Sequence, residues 1–336
     1  MYRAMRPRRR PPAEEPSDPR VHLSISRQAI LRILLASPIS PRAVDALRSR
    51  HELIDAVGQP EGELRRLIAG CDALVFRSGV QITAPVMESS PELRLIVRGG
   101  SGTDNIDMDY VERRGLRLVR VPGPGAQAVA EMAFALILGL ARQLVIADAA
   151  LREGHWIKHE VRGHLLQGKT LGVYGAGNIG FKVAQMGAAW GMRVLACVQN
   201  PTPERERSFR EQGIELQAGH VLLSESDYLS IHVPLNAATT GLIRRPELEK
   251  MKAGAFLVTL ARGGVVDEDA LFEALESGRL AGAGLDVHAR EGEGEVSRLA
   301  ALPNVILTPH IGATTVDTQD IIGAKIVEII DGFGSQ

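Results

Sequence analysis

The sequence predicts an α/β protein in which each half of the chain forms a doubly wound parallel sheet. Strand-like and helix-like stretches alternate with short turns from residue 31 to residue 121, and the alternation resumes after residue 168. Repeated βα units of this kind are typical of parallel sheets with helices on both faces. The length of 336 residues allows two domains. A ligand would then bind in the crevice between them, at the carboxyl ends of the strands.

The composition is that of an ordinary globular protein, with 45% apolar residues, 24% charged residues and a net charge of −1. This near-neutral charge gives no reason to expect nucleic acid or an acidic membrane as a partner. Cys71 and Cys197 match no metal-ligand spacing, so we expect no metal site and reduced, buried thiols in a cytoplasmic protein. The longest apolar run, about residues 132–141, is half of what a bilayer requires, and no membrane span is predicted.

Residues 1–28 are predicted to be a disordered, basic and proline-rich extension without the apolar core of a signal peptide. The three arginines at 8–10 could bind a polyanion, although a solvated tail is the favoured interpretation.

Apolar runs bounded by turn residues predict the strands of the first half, and apolar residues at helical spacing predict its helices. The strands are predicted at 31–36, 53–57, 73–77, 93–98 and 116–121, and the helices at 41–50, 61–69 and 108–114. A longer helix follows at 126–144, apolar on nearly every face, which must be covered in a core or a subunit interface.

The second half repeats the strand–helix alternation and ends in a helix with apolar positions at Ile322, Ile326, Ile329 and Ile330. Its strands are predicted at 171–174, 192–198, 228–233, 255–260, 282–287 and 305–308, and its last helix at 319–330.

A glycine-rich turn lies between the first strand of this second half and the helix that follows. Gly175 would allow a tight turn, Gly177 would let backbone amides approach a pyrophosphate, and Gly180 would let the helix pack on its strand. The phosphates would then meet the N-terminus of the helix. A dinucleotide site is the favoured interpretation, and an ordinary tight turn is the alternative.

Three polar side chains follow three different predicted strands and could form a proton-transfer site. Arg262, Glu291 and His310 would meet at one crevice, where a carboxylate stabilises an imidazolium and an arginine holds a carboxylate. Taken singly, Arg262 could be a surface ion pair and His310 a structural histidine. His232 also lies at the end of a strand, the third predicted strand of the second half.

Seven motifs in order make the chain resemble the D-2-hydroxyacid dehydrogenase family over roughly residues 31–330. They are RGGSGTDNID at 98–107, VAE at 129–131, GKTLGVYGAGNIG at 168–180, IHVPL at 231–235, ARGG at 261–264, GLDV at 284–287 and TPHIG at 308–312.

The resemblance implies hydride transfer between the nicotinamide C4 of NAD(P) and carbon 2 of a small 2-oxo or 2-hydroxy acid. The implied catalytic residues are Arg262, Glu291 and His310. The implied substrate-binding residues are Arg77, Ser78, Gly100, Ser101, Gly102 and Arg262. The implied cofactor-binding residues are Gly175, Ala176, Gly177, Asn178, Ile179, Gly180, Val198, Gln199, Asn200, His232, Val233, Pro234, Leu260, Ala261, Asp286 and His310.

The resemblance also implies the domain arrangement and the assembly. A Rossmann cofactor domain at 125–311 would be inserted into a flavodoxin-like substrate domain at 29–124 and 312–336, with linking helices near 122–144 and 312–322. The apolar helix would then belong to a homodimer interface.

Two departures from the family pattern bear on the site. Val198 stands where an acid usually binds the adenosine ribose, so that NADP is possible although NAD is expected, and Arg205 or Arg207 could reach a 2′-phosphate. The loop around Glu291 lacks the usual proline, so Glu293 or Glu295 could take its place beside His310.

Three alternative functions remain open. Arg77 and Ser78 match a phosphate-contacting pair in phosphoglycerate dehydrogenases, so the chain could be one of these. It could instead oxidise phosphite or a phosphonate, or act as a non-catalytic NAD(H)-binding regulator similar to corepressors of the same fold. The presence of Arg262, a glutamate and His310 together favours an enzyme, since a binding module needs none of them.

Overall fold

The computed structural model describes residues 29–335 and contains two parallel sheets, each with helices packed against it. It confirms the predicted α/β class with two doubly wound sheets. The predicted disordered extension at residues 1–28 lies outside the described residues.

The first sheet has five strands, all parallel, and its central strands are buried on both faces because helices cover both. The strands are β1 (Arg32–Leu35), β2 (Glu52–Asp55), β3 (Ala73–Phe76), β4 (Leu95–Arg98) and β5 (Arg117–Arg120), in the order β2-β1-β3-β4-β5. The helices are α1 (Pro41–Arg48), α2 (Glu61–Leu67), α3 (Ala84–Glu88) and α4 (Met108–Arg114). The short helix α3 was not predicted.

The long apolar helix is interrupted, so the prediction of one helix over 126–144 is wrong. Helix α5 (Pro124–Ala141) ends where Gln143 takes a left-handed conformation with φ 51°, and α6 (Leu144–Arg152) begins after it. The carbonyl of Ala141 accepts a hydrogen bond from the amide of His164 instead of continuing the helix.

Helix α5 is long and apolar enough to cross a membrane, yet 56% of that stretch is buried inside the fold, as in the core helix of a globular protein. It is not covered on every side, because Gln127, Glu131 and Ala135 form an exposed strip at four-residue spacing.

The second sheet has seven parallel strands and lies against α5. The strands are β6 (Thr170–Tyr174), β7 (Arg193–Cys197), β8 (Ile214–Leu216), β9 (Tyr228–Ile231), β10 (Ala255–Thr259), β11 (Leu280–Leu285) and β12 (Val305–Leu307), in the order β12-β11-β10-β9-β6-β7-β8. The helices are α7 (Asn178–Ala189), α8 (Pro203–Glu211), α9 (Gly219–Glu225), α10 (Arg245–Lys250) and α11 (Glu268–Glu276), with a 3₁₀ turn at Arg298–Ala301. The strand β8 was not predicted.

The last helix, α12 (Val316–Gly334), returns to the first sheet and packs beside α1. Ile322, Ile326 and Ile330 are buried in the same apolar cluster as residues of β1 and β4. The two sheets are therefore joined twice, by α5 and by the segment that leads into α12, and the cleft lies between these connections.

Candidate active site

A cavity of about 310 Å³ lies in this cleft and is lined by residues from both sheets. Most of the predicted side chains come together there, because the carboxyl ends of parallel strands meet at one edge of each sheet. The predicted site residues that line it are Arg77, Ser78, Gly100, Ser101, Gly102, Gly177, Asn178, Ile179, His232, Leu260, Arg262, Asp286 and His310.

The glycine-rich turn has the backbone geometry that a pyrophosphate site requires. Gly175 has φ 91°, and its amide and that of Ala176 both donate to the carbonyl of Cys197 at 3.0 Å. A Cβ at residue 180 would collide with the carbonyl of Gly175, whereas a Cβ at Gly177 would meet nothing within 4 Å. The open space therefore lies at the N-terminus of α7, where the helix dipole favours an anion.

The end of β7 carries no acid. Val198, Gln199 and Asn200 follow this strand outside the cavity, and Asn200 has φ 54°. The Nη2 of Arg205 donates to the carbonyl of Ala176 at 2.7 Å, so a cation lies beside the glycine-rich turn.

His232 lies beside the turn as a neutral, half-buried imidazole. Burial lowers its pKa to about 4. Its Nε2 is 2.8 Å from Ser230 Oγ, and its Nδ1 has no partner in the part of the chain that the structure describes. Val233 packs against Gly175, and the predicted residues Val233, Pro234 and Ala261 do not line the cavity.

His310 and Glu291 form a hydrogen-bonded pair. His310 Nδ1 is 2.8 Å from Glu291 Oε2, and Glu291 Oε1 accepts from the amide of His288 at 3.1 Å. Partial burial acts to raise the pKa of Glu291, but hydrogen bonds from His310 and His288 outweigh it and hold this pKa below its ordinary value. The structure thus places Glu291 beside the imidazole.

The two alternatives, Glu293 and Glu295, make no hydrogen bond to His310 in the described part of the chain. The loop that carries Glu291 is anchored by Glu268, whose carboxylate accepts from the amide of Ala289 at 2.5 Å and from Ser297 Oγ at 2.7 Å.

Asp286 fixes the loop that carries His310. Its buried carboxylate accepts from Thr308 Oγ1 at 2.6 Å, from the amide of Ile311 at 2.9 Å and from the amide of Gly312 at 2.7 Å. These bonds lie on both sides of His310, which has φ 53°, a left-handed conformation that is uncommon in residues other than glycine. The sequence analysis predicted Asp286 only as a cofactor-binding residue and missed this contact with the loop.

Arg262 extends from the loop after β10. Its Nε lies 3.1 Å from both carboxylate oxygens of Asp104, and its Nη1 donates to the carbonyl of Ala261 at 2.7 Å. Gly263 allows this loop to pack on the backbone of the loop after β11, because a Cβ there would collide with the carbonyl of His288.

Two further arginines lie on the substrate side of the cavity. Burial lowers the pKa of Arg77, and burial together with the positive charge of Arg262 lowers the pKa of Arg98 to about 10. The Nε atoms of both are buried without a hydrogen-bond partner among the described residues. Both residues line the cavity, so their positive charge favours an anionic ligand there.

Sequence reasoning missed Arg98 and Asp104 as site residues, although both belong to the motif at 98–107, from which only Gly100, Ser101 and Gly102 were predicted. It also missed Gly99 of the same motif and the residues that the two connections between the sheets contribute to the cavity. The connecting residues are Val121, Pro122, Gly123, Gly125, Ala126, Val129, Gly312, Ala313, Thr314 and Ile322.

Comparison with known proteins identifies similar chains over most of the length. Residues 134–312 match the family model for the NAD binding domain of D-isomer specific 2-hydroxyacid dehydrogenases. The chain is 38% identical over 302 residues to hydroxypyruvate reductase of Thermotoga maritima, which covers 89% of this chain and 97% of that protein. It is 39% identical over 301 residues to D-3-phosphoglycerate dehydrogenase of Archaeoglobus fulgidus. This match covers 89% of this chain but only 56% of the relative's length.

Among solved structures, D-lactate dehydrogenase of Aquifex aeolicus, complexed with NAD and lactic acid, superimposes with a TM-score of 0.79 at 30% identity. The match covers 90% of this chain and 95% of that one.

Proposed function

The chain belongs to the D-isomer specific 2-hydroxyacid dehydrogenase family, and from this premise we propose that it reduces a 2-oxo acid to the corresponding D-2-hydroxy acid. Membership makes it an NAD(P)-dependent oxidoreductase that acts on the CH–OH group of donors. The observation that carries the proposal is the single cavity onto which Arg262, His310 and the N-terminus of α7 all open.

The residues of the glycine-rich turn fit the cofactor. The amides at Asn178 and Ile179 would hold the pyrophosphate, since the space above Gly177 is open and the helix N-terminus favours an anion. When bound, the nicotinamide supplies the hydride. Asp286 would also meet its carboxamide, in keeping with its place on the cavity wall.

The chain's own groups would bind the acid and move the proton. Arg262 and the amides of Ser101 and Gly102 would hold the substrate carboxylate, and Arg262 would stabilise the negative charge that develops on the 2-oxo oxygen. His310 would donate its proton to that oxygen, while Glu291 stabilises the imidazolium beforehand. In the oxidation direction, His310 would take the proton back.

The unpartnered cations favour a substrate with a second anionic group. Arg98 is buried and Arg77 half-buried beside the carboxylate site, and neither has a hydrogen-bonded counterion among the described residues. Ser78 adds a hydroxyl on the same wall. We therefore propose 3-phosphohydroxypyruvate, or another 2-oxo acid of this charge, ahead of glyoxylate. This is the reaction of a phosphoglycerate dehydrogenase run in reverse.

A homodimer in the cytoplasm remains our proposal for the assembly. The exposed large apolar side chains are concentrated after α5 and not on it, which moves the predicted interface to α6 and the segment that follows. They include Leu144, Val145, Leu151, Trp156 and Leu165. We retain the domain limits of 29–124 with 312–336, and 125–311.

The test measures oxidation of NADH and of NADPH with glyoxylate, hydroxypyruvate and 3-phosphohydroxypyruvate, and reduction of NAD with phosphite. We expect turnover with a 2-oxo acid and the highest kcat/KM for the phosphorylated one. Arg262→Ala should raise KM and lower kcat together. Turnover with phosphite alone would support the phosphite alternative, and tight cofactor binding without any turnover would support the regulator.

A further inference from the structure

Asp104 and Arg262 face each other across the cleft. Asp104 lies in the loop after β4, in the first sheet, and Arg262 lies in the loop after β10, in the second. Both carboxylate oxygens of Asp104 are 3.1 Å from Arg262 Nε. The side chains are 40% and 27% exposed, so the pair lies at the cavity edge within reach of water and of substrate.

The contacts of the guanidinium group leave one of its nitrogens for the substrate. The Nε of Arg262 donates to Asp104, and its Nη1 donates to the carbonyl of Ala261 at 2.7 Å. Nη2 makes no hydrogen bond in the described part of the chain and lies directly over Gly102, where a Cβ would collide with it. The free nitrogen is therefore directed at the loop whose amides we expect to receive the substrate carboxylate.

This arrangement matters because an arginine side chain loses much conformational freedom when it is fixed. A guanidinium that is already held by two partners does not have to be ordered again when substrate arrives, so binding and orientation both improve. Gly102 allows this position of Arg262, because the absence of a side chain leaves room for Nη2.

We propose that Asp104 is a positioning residue, which holds Arg262 by its Nε edge so that Nη2 faces the carboxylate and the developing oxyanion of the substrate. The proposal rests on the proposed reduction of 2-oxo acids. It assigns to Asp104 no contact with the substrate and no proton transfer.

Asp104 also carries a negative charge among the arginines of the site, and a charge effect has to be separated from positioning. Its carboxylate opposes the effect that Arg262 has on the pKa of Arg98. If Asp104 acted only as a counterion, it would compete with the substrate, and its removal would strengthen substrate binding. Asp104→Asn removes the charge but keeps an oxygen that can accept from Nε, whereas Asp104→Ala removes both.

The experiment compares these two variants in kinetics and in binding of oxamate, a 2-oxo acid analogue that is not reduced, to the NADH-bound protein. For Asp104→Ala we expect KM to rise about tenfold and kcat to fall about tenfold, because Arg262 loses its orientation. For Asp104→Asn both changes should be at most about threefold. The affinity for oxamate should follow the same order, and the affinity for NADH should stay unchanged.

Asp109→Asn is the matched control, because Asp109 is an exposed acid on α4 in the same part of the chain. Equal effects of the two Asp104 variants, tighter oxamate binding in both, or no effect in either would each overturn the positioning role. The oxamate measurement does not depend on turnover. A wild-type protein that reduces no 2-oxo acid would therefore count against the proposed function, whereas the order of the variants in oxamate affinity would still decide the role of Asp104.

Discussion

Glu291 contacts His310 through one oxygen and its own loop through the other. Oε2 is 2.8 Å from His310 Nδ1, and Oε1 accepts from the amide of His288 at 3.1 Å. A carboxylate that is fixed on both sides holds the imidazole ring in one orientation and favours a proton on Nδ1. The remaining ring nitrogen, Nε2, is then left for the cavity that His310 lines.

His310→Gln tests the proton transfer. Glutamine can still donate a hydrogen bond but cannot give up a proton, so kcat should fall by at least about 10²-fold. The affinity for NADH, measured by fluorescence titration, should stay near that of the wild type. Normal turnover in this variant would remove His310 from the mechanism.

Glu291→Gln tests the partner of the imidazole. Without the carboxylate the imidazolium is less stable, so the pH above which the reductive rate declines should move downwards. The pH–rate profile measures this shift, and Glu293→Gln is the control because Glu293 has the same chemistry and no contact with His310. Identical profiles for the wild type and Glu291→Gln would contradict the assignment.

The same variant has a predicted effect on stability. The pKa of Glu291 is lowered in the folded protein, so its contribution to stability is full above the ordinary carboxyl pKa and is lost as the pH falls through the lowered value. Denaturant unfolding should therefore show the largest difference between wild type and Glu291→Gln near neutral pH. A difference that grows on acidification would mean that the pKa is raised instead.

Asp286→Asn tests the support of the loop around His310. The amide group of asparagine can replace only one of the two acceptor oxygens, and its NH₂ would face a backbone amide or the hydroxyl of Thr308. We expect kcat to fall by about tenfold or more, because a misplaced acid/base group is costly. Hydrogen exchange at residues 308–312 should become faster. Unchanged exchange would show that the loop does not depend on Asp286.

Gly263→Ala tests the contact between two loops of the site. The new Cβ would collide with the carbonyl of His288, a backbone atom that cannot move freely, so the protein should lose about 1–3 kcal/mol of stability. Gly62→Ala is the matched control, since a Cβ there meets nothing within 4 Å and should cause no loss. Thermal unfolding of the two variants gives the comparison.

The repeated alternation of apolar runs and turns was sufficient to predict the two parallel sheets, because strands buried on both faces are nearly continuous in apolar residues. It could not predict the break after Ala141. At the break the amide of His164 donates to the carbonyl of Ala141, and no local pattern indicates this contact, because Arg142 and Gln143 are both good helix formers.

The candidate site was predictable where a single residue follows a strand, as for Arg262 and His310. It was not predictable where a contact joins distant segments, as in the pairing of Asp104 with Arg262 across 158 positions. Nor does sequence pattern indicate that Arg98, at the end of a buried strand, lacks a hydrogen-bonded counterion.

The position of α12 has a consequence for the order in which the protein is made. Its buried isoleucines complete the apolar cluster of the first sheet, yet they emerge from the ribosome only after the whole second sheet has been synthesised. The second sheet has its own core and can form while the first still exposes β1 and α1. The apolar surface that α12 covers on the first half therefore stays exposed until translation is nearly complete.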